Sequence, residues 1–119
     1  MKVINLGEKN TILNTYVAEI RDARIQKDSM RFRTNLERVG CVFGYEISRT
    51  LDYSEKDVTT PLAVARVSTP DTQLVAAAIL RAGLPLQNGL LRVFDHAESA
   101  FLSTFRKSGK GDYFKVFAD

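Results

Sequence analysis

Apolar residues recur through the first part of the chain at intervals of three and four. Ile12, Leu13, Tyr16, Val17 and Ile20 form one series, with Asn10 or Thr11 before it as a candidate N-cap. Phe32, Leu36, Val39, Phe43 and Ile47 form a second, behind the cap candidates Asp28-Ser29 and reaching about Thr50. Both predict amphipathic helices. Gly40 and Gly44 lie four apart in the second, where glycine lowers helix propensity. Close approach by another element, a second subunit included, would account for them, and so would plain tolerance of glycine.

After Ser54 the period shortens. Val58, the turn signal Thr59-Thr60-Pro61 and the alternation Leu62-Ala63-Val64-Ala65-Arg66-Val67 predict extended, partly exposed structure. Pro61 marks an edge position or a strand start, because it cannot donate to a central ladder. Pro70-Asp71 predicts a turn. Leu74 to Leu80 then has the length and flanks of a buried strand, although its alanines also suit a helix. Leu84 to Phe94 predicts a helix that buries Leu86, Leu90, Leu91 and Phe94, with Pro85 in its first turn. Ala100 to Phe105 is a strand candidate, Ser108 to Asp112 a hairpin turn, and Tyr113 to Phe117 a further strand. Strand, helix and strand in that order make a βαβ unit, so the fold class is α/β.

Composition narrows the setting. The 119 residues, 45% apolar and 26% charged, suit one soluble globular domain without internal repeats. No run approaches the roughly 18 apolar residues of a membrane span, and MKVINLGEKN lacks the apolar core of an export signal. Cys41 is the single cysteine and falls in an apolar helical pattern, which predicts a buried thiol in a reducing compartment, the cytoplasm. The net charge of +3 concentrates weakly between Arg21 and Arg38, where Arg24, Lys27, Arg31 and Arg33 alternate with Asp22, Asp28 and Glu37. This predicts a solvated helix face laced with ion pairs; the alternative is a surface for anions or RNA.

The candidate chemistry gathers at strand ends. Arg81 follows the Leu74–Leu80 run, and ligands of open α/β sheets bind beyond the carboxyl ends of strands. Ala82 and Gly83 carry little side chain, so backbone N–H groups could approach an anion, and glycine would permit a positive φ. Arg106 ends the next strand candidate, in FLSTFRK. Neighbouring parallel strands finish on one sheet edge, so the two arginines could face one ligand, and paired cations suit a pyrophosphate. Against this, either arginine alone reads as an ordinary surface charge. His96 after Asp95 reads as a helix-end surface residue, and SGKGD lacks phosphate-loop spacing. One cysteine and one histidine make no common zinc site.

The stretch ILRAGLPLQNGLL, with FRK at the next strand end, resembles the uracil phosphoribosyltransferases, which have a type I phosphoribosyltransferase fold. DSMRFRTNLERVGCVFGYEI is similar to that family's N-terminal helix, MKVINLGEKN to its opening segment, and VTTPLAVARV to its protruding β arm. The resemblance implies a helical segment at 1–55, a β arm at 56–70 and the start of the central sheet at 71–119. It implies transfer of a phosphoribosyl group from phosphoribosyl pyrophosphate to uracil, giving UMP and pyrophosphate with Mg²⁺. Arg81, Ala82 and Gly83 match the family's pyrophosphate loop, and Arg106 matches a second arginine contacting the same substrate. It implies a homodimer in the intact enzyme, with no membrane and no nucleic-acid partner.

The departures carry equal weight. No D-x-x-x-T-G occurs, and the sequence ends at Asp119 within an apparent sheet strand. The family's 5-phosphate loop and uracil-recognising hood would lie beyond that end. The expectation is therefore an inactive N-terminal half, with the first βαβ part of an incomplete sheet and no catalytic residue or metal ligand of its own. The competing readings are a non-catalytic RNA-binding regulator related to these enzymes, and a structural piece that builds a dimer.

Overall fold

Both helical series fold as helices, with polar side chains placed just ahead of each. The computed structural model describes the backbone of residues 1–107 and 113–118 and the side chains of residues 1–104. Helix α1 spans Leu13–Arg21. The N-cap position is Ile12, which makes no side-chain cap bond, so neither expected residue is the cap; Thr11 Oγ1 accepts the Leu13 N–H at 3.2 Å from one place earlier, and Asn10 Oδ1 accepts only the Asn14 side-chain amide, at 3.2 Å. Helix α2 spans Ser29–Ser48 and is capped by Asp28, which accepts the Arg31 N–H at 3.1 Å. Periodicity did not foresee the 3₁₀ turn between them, Ile25–Lys27. Asp22 builds it by accepting the backbone N–H groups of Arg24 at 2.8 Å and Ile25 at 3.0 Å. These bonds, that of Ile25 first, hold the Asp22 carboxyl below the ordinary aspartate range.

The polar joint between α1 and α2 is more specific than a solvated charged face. Asn35 is 0% exposed and donates to Glu19 Oε2 at 2.7 Å, while its own oxygen accepts from Arg38 at 3.1 Å. Arg38 also lies over the Tyr16 ring, 5.5 Å from its centroid. Arg31 reaches Glu19 at 3.4 Å and Asp28 at 3.9 Å. The interleaved acids are thus divided among different tasks: Asp22 holds a turn, Asp28 caps a helix, and Glu37 pairs with Arg92 of the third helix.

Strands β1 (Tyr53–Thr59) and β2 (Val64–Pro70) pair antiparallel from Tyr53↔Pro70 to Thr59↔Val64. Thr60 closes the tip: its N–H donates to the Ala63 carbonyl at 2.9 Å, and its Oγ1 accepts the Ala63 N–H at 3.1 Å. Pro61 sits in that tip, where its missing donor leaves no ladder bond unmade. All of β1 is exposed, so this hairpin stands clear of the core. The radius of gyration, 18.4 Å, accordingly exceeds the roughly 13–14 Å of a compact chain this long.

The second sheet has the order β3-β4-β5, with β3 at Val75–Leu80, β4 at Glu98–Lys107 and β5 at Tyr113–Ala118. Helix α3 (Leu84–Val93) links β3 to β4, which run parallel, whereas β5 returns antiparallel to β4. The alanine-rich run is therefore a strand, and the α/β class holds. The expected turn at 108–112 lies outside the described residues. Burial differs from expectation: Ala78 is buried, but Val75 and Ile79 are 59% and 55% exposed. Alternate side chains leave opposite faces of a strand, and α3 covers one face.

Glycine lets α3 come close. A Cβ on Gly40 would collide with the Leu86 carbonyl, and one on Gly89 with the Glu37 carbonyl, while Gly44 faces Val93. The close approach that Gly40 and Gly44 suggested is thus made within this chain, by α3. Cys41, half-buried, directs its thiol to the Gly89 carbonyl at 3.5 Å. No helix among the described residues is long and apolar enough to cross a membrane.

Candidate functional site

Arg81, Ala82 and Gly83 form the turn between the carboxyl end of β3 and the N-terminus of α3. The Gly83 N–H donates to the Ile79 carbonyl at 2.9 Å, and the Leu84 N–H donates to the Arg81 carbonyl at 3.2 Å. These bonds fold the turn back onto the strand. The Leu80–Arg81 peptide bond is cis. Arg81 and Ala82 are exposed, whereas Gly83 is half-buried.

Gly83 is required for a reason other than the expected one. Its φ is −75° and ψ −12°, a conformation open to any residue, so positive φ plays no part. Space decides instead: a Cβ there would lie 2.9 Å from the Ile79 carbonyl oxygen and 3.0 Å from the Ile79 nitrogen. The bonds to Ile79 and Arg81 also commit the Gly83 and Leu84 amides internally. The portion of the turn presented outward is Arg81 with Ala82.

Arg31, Arg49, Arg66 and Arg92 are each held by a carboxylate, whereas Arg21, Arg24, Arg33 and Arg81 form no ion pair among the described residues, so what sets Arg81 apart is its place in the fold. Arg81 extends from a turn next to the positive end of the α3 dipole, a place that favours a bound anion.

The backbone of Arg106 lies at the same end of the sheet, but inside a strand. Leu80 pairs with Ser103, and β4 continues past it to Lys107, with Arg106 opposite Phe114 of β5. Arg106 is therefore three positions beyond the residue level with the end of β3, about 10 Å farther along. The expected strand end at Phe105 is corrected to Lys107, because pairing with β5 extends the ladder. The Arg106 side chain lies outside the described residues.

The sequence reading missed one residue of this region, Gln87. It is 3% exposed on the face of α3 that meets the sheet. Its side-chain amide donates to the Ala76 carbonyl of β3 at 2.8 Å and reaches the Ala100 carbonyl of β4 at 3.4 Å. Its position three after Leu84 and four before Leu91, on the buried stripe, was the signal. His96 is exposed, 3.7 Å from Asp95. No group of three His, Cys, Asp or Glu side chains that could hold a metal ion occurs among the described residues. A groove of about 880 Å³ opens away from the turn, between the N-terminal segment, α1 and α2.

Residues 8–116 match the family model described as uracil phosphoribosyltransferase. A uracil phosphoribosyltransferase from Porphyromonas gingivalis is 50% identical over 107 residues, which are 90% of this chain and 50% of that protein. One from Thermococcus gammatolerans is 35% identical over 111 residues, 92% of this chain and 48% of that protein. The chain thus spans about half the length of these curated relatives. Among solved structures, the AQ2163 protein from Aquifex aeolicus superposes with a TM-score of 0.73 at 24% identity, over 92% of this chain and 52% of that one, a likeness of fold.

Proposed function

As the chain belongs to the uracil phosphoribosyltransferase family, we propose that it serves pyrimidine salvage by providing the pyrophosphate-binding turn of such an enzyme. The enzyme's reaction is transfer of phosphoribosyl from phosphoribosyl pyrophosphate to uracil, yielding UMP and pyrophosphate. The observation that supports this most is the exposed Arg81 on a turn pinned to β3, at the sheet end where α/β folds bind ligands.

In this reading Arg81 forms charge-assisted hydrogen bonds to the pyrophosphate and orients it as a leaving group. Positive charge grows on the ribose as the pyrophosphate departs with the bonding electron pair. A guanidinium bonded to the pyrophosphate lowers the barrier by stabilising the negative charge that develops on the departing oxygens. Ala82 and Gly83 keep side chains out of the anion's path, and Arg106 approaches the same substrate from β4. Mg²⁺ would supply further charge neutralisation; the described residues offer it no cluster of ligands, so none is assigned to it.

The chain spans about half the length of its curated relatives, and the groups that hold the 5-phosphate and uracil are assigned to the other half of such an enzyme, so in this reading the chain binds substrate without turning it over. The β arm is assigned to association with a second copy, because Val58, Leu62, Val64 and Val67 are all exposed along it. The setting is the cytoplasm. The test is calorimetric titration of the folded chain with phosphoribosyl pyrophosphate and Mg²⁺, beside an assay for UMP. Binding that Arg81→Ala weakens by about one to two orders of magnitude, without turnover, is the expected result. A folded chain that does not bind ends the pyrophosphate reading, and turnover ends the assignment of the remaining groups elsewhere.

A further inference from the structure

We infer that Gln87 is a positioning residue that sets where the 81–83 turn stands over the sheet. The inference deepens the pyrophosphate reading of that turn and, for its effect on ligand binding, rests on it. Gln87 carries a polar side chain on a face of α3 that otherwise presents half-buried Leu84, Leu90 and Leu91. An amide so nearly buried is costly unless its donors are satisfied, and packing alone would favour an apolar residue here.

Its hydrogen bonds give the reason for keeping it. The side chain donates to the Ala76 carbonyl at 2.8 Å and to that of Ala100 at 3.4 Å, across the seam of the two parallel strands. The backbone N–H of the same residue donates to the Gly83 carbonyl at 3.0 Å, and the Gly83 N–H donates to the Ile79 carbonyl at 2.9 Å. These bonds close a loop that leaves β3 at Ala76, passes through α3 and the turn, and re-enters β3 at Ile79. Apolar contacts would let α3 slide or rotate on the alanine surface of β3; directional bonds at both ends of the loop remove that freedom. The backbone carrying Arg81 inherits the fixed position.

The test combines amide hydrogen exchange with titration of magnesium pyrophosphate, on the full chain. Gln87→Met keeps the volume and removes the donors. It should speed exchange at the Gly83 and Leu84 amides relative to those of α2, and weaken pyrophosphate binding by about two- to tenfold, the range of one net hydrogen bond. In Gln87→Glu a protonated carboxyl can donate to the same carbonyl, so protection at Gly83 should return near pH 5.5 and be lost near pH 8. Arg81→Ala should weaken pyrophosphate binding by about one to two orders of magnitude with Gly83 protection intact. Wild-type protection at Gly83 in Gln87→Met overturns the inference. If that variant does not fold, protection in Gln87→Glu that ignores pH overturns it equally. A wild-type chain that fails to bind pyrophosphate ends the ligand reading, while the exchange data still decide the role of Gln87.

Discussion

Gly40 and Gly89 are pressed together where α2 crosses α3. A methyl group on Gly40 would stand 3.0 Å from the Gly89 Cα, and one on Gly89 would stand 2.8 Å from the Gly40 Cα. Both would meet backbone atoms, which no rotamer change can move aside. Because these contacts join α2 to a helix that begins 36 residues after its end, they help to place α3 and the turn preceding it.

Helix propensity and packing therefore oppose each other at Gly89. Alanine gains about 1 kcal/mol over glycine in an exposed helix, but overpacking a rigid contact costs about 1–3 kcal/mol. Gly89→Ala should destabilise the chain, and Gly44→Ala should do so less, since its neighbour is the Val93 side chain. Urea denaturation of the two variants checks the order; stabilisation by Gly89→Ala would contradict the crossing.

Arg81→Ala tests the turn in an enzyme of full length that shares it. Loss of a charge-assisted bond of about 1.5–3 kcal/mol should raise KM for phosphoribosyl pyrophosphate by one to two orders of magnitude and lower kcat. KM for uracil should change far less. Steady-state kinetics with each substrate varied in turn decide it, and unchanged kinetics would remove Arg81 from the site.

Acid sensitivity follows from the α1–α2 joint. The hydrogen bond from Asn35, aided by Arg31 and opposed by partial burial, holds the Glu19 carboxyl below its ordinary value near 4.5. Asp22 is likewise held below 3.8. A depressed carboxyl contributes stability that is present above its ordinary value and lost as pH falls through the lowered one. Stability should therefore fall as pH drops below about 4.5, and Asn35→Ala should make that fall shallower while lowering stability at neutral pH. Denaturation curves across this range check both effects.

The arm yields a test that leaves the folded monomer intact. Leu62 touches little, so Leu62→Asp should not change thermal stability measured on the monomer. If the arm joins two copies, sedimentation should show a dimer for the natural chain and a weaker one for the variant. A natural chain that stays monomeric at tens of micromolar would end that assignment.

Local order was legible along the chain because local rules govern it. Spacing at three and four marked α1, α2 and α3; Asp28 stood where a cap belongs; Thr60-Pro61 marked the hairpin tip. Each depends on residues within about one turn of one another, so the pattern suffices. The RAG turn was legible too, as a charge and two small residues closing an apolar run.

What covers an apolar face is a different kind of fact, since periodicity states that a face exists and not what packs on it. The crossing at Gly40 and Gly89 and the sharing of Glu37 with Arg92 join segments far apart in the chain, and even the covering of β3 by the next helix depends on how the turn between them folds back. Gly83 shows the difference most plainly: sequence pointed to its backbone freedom, whereas the folded chain requires it for want of room beside Ile79. Arg106 was placed at a strand end by composition and lies within β4 because β5 pairs beside it. Room and pairing depend on how the backbone is arranged in space, which the spacing of residue types along the chain does not state.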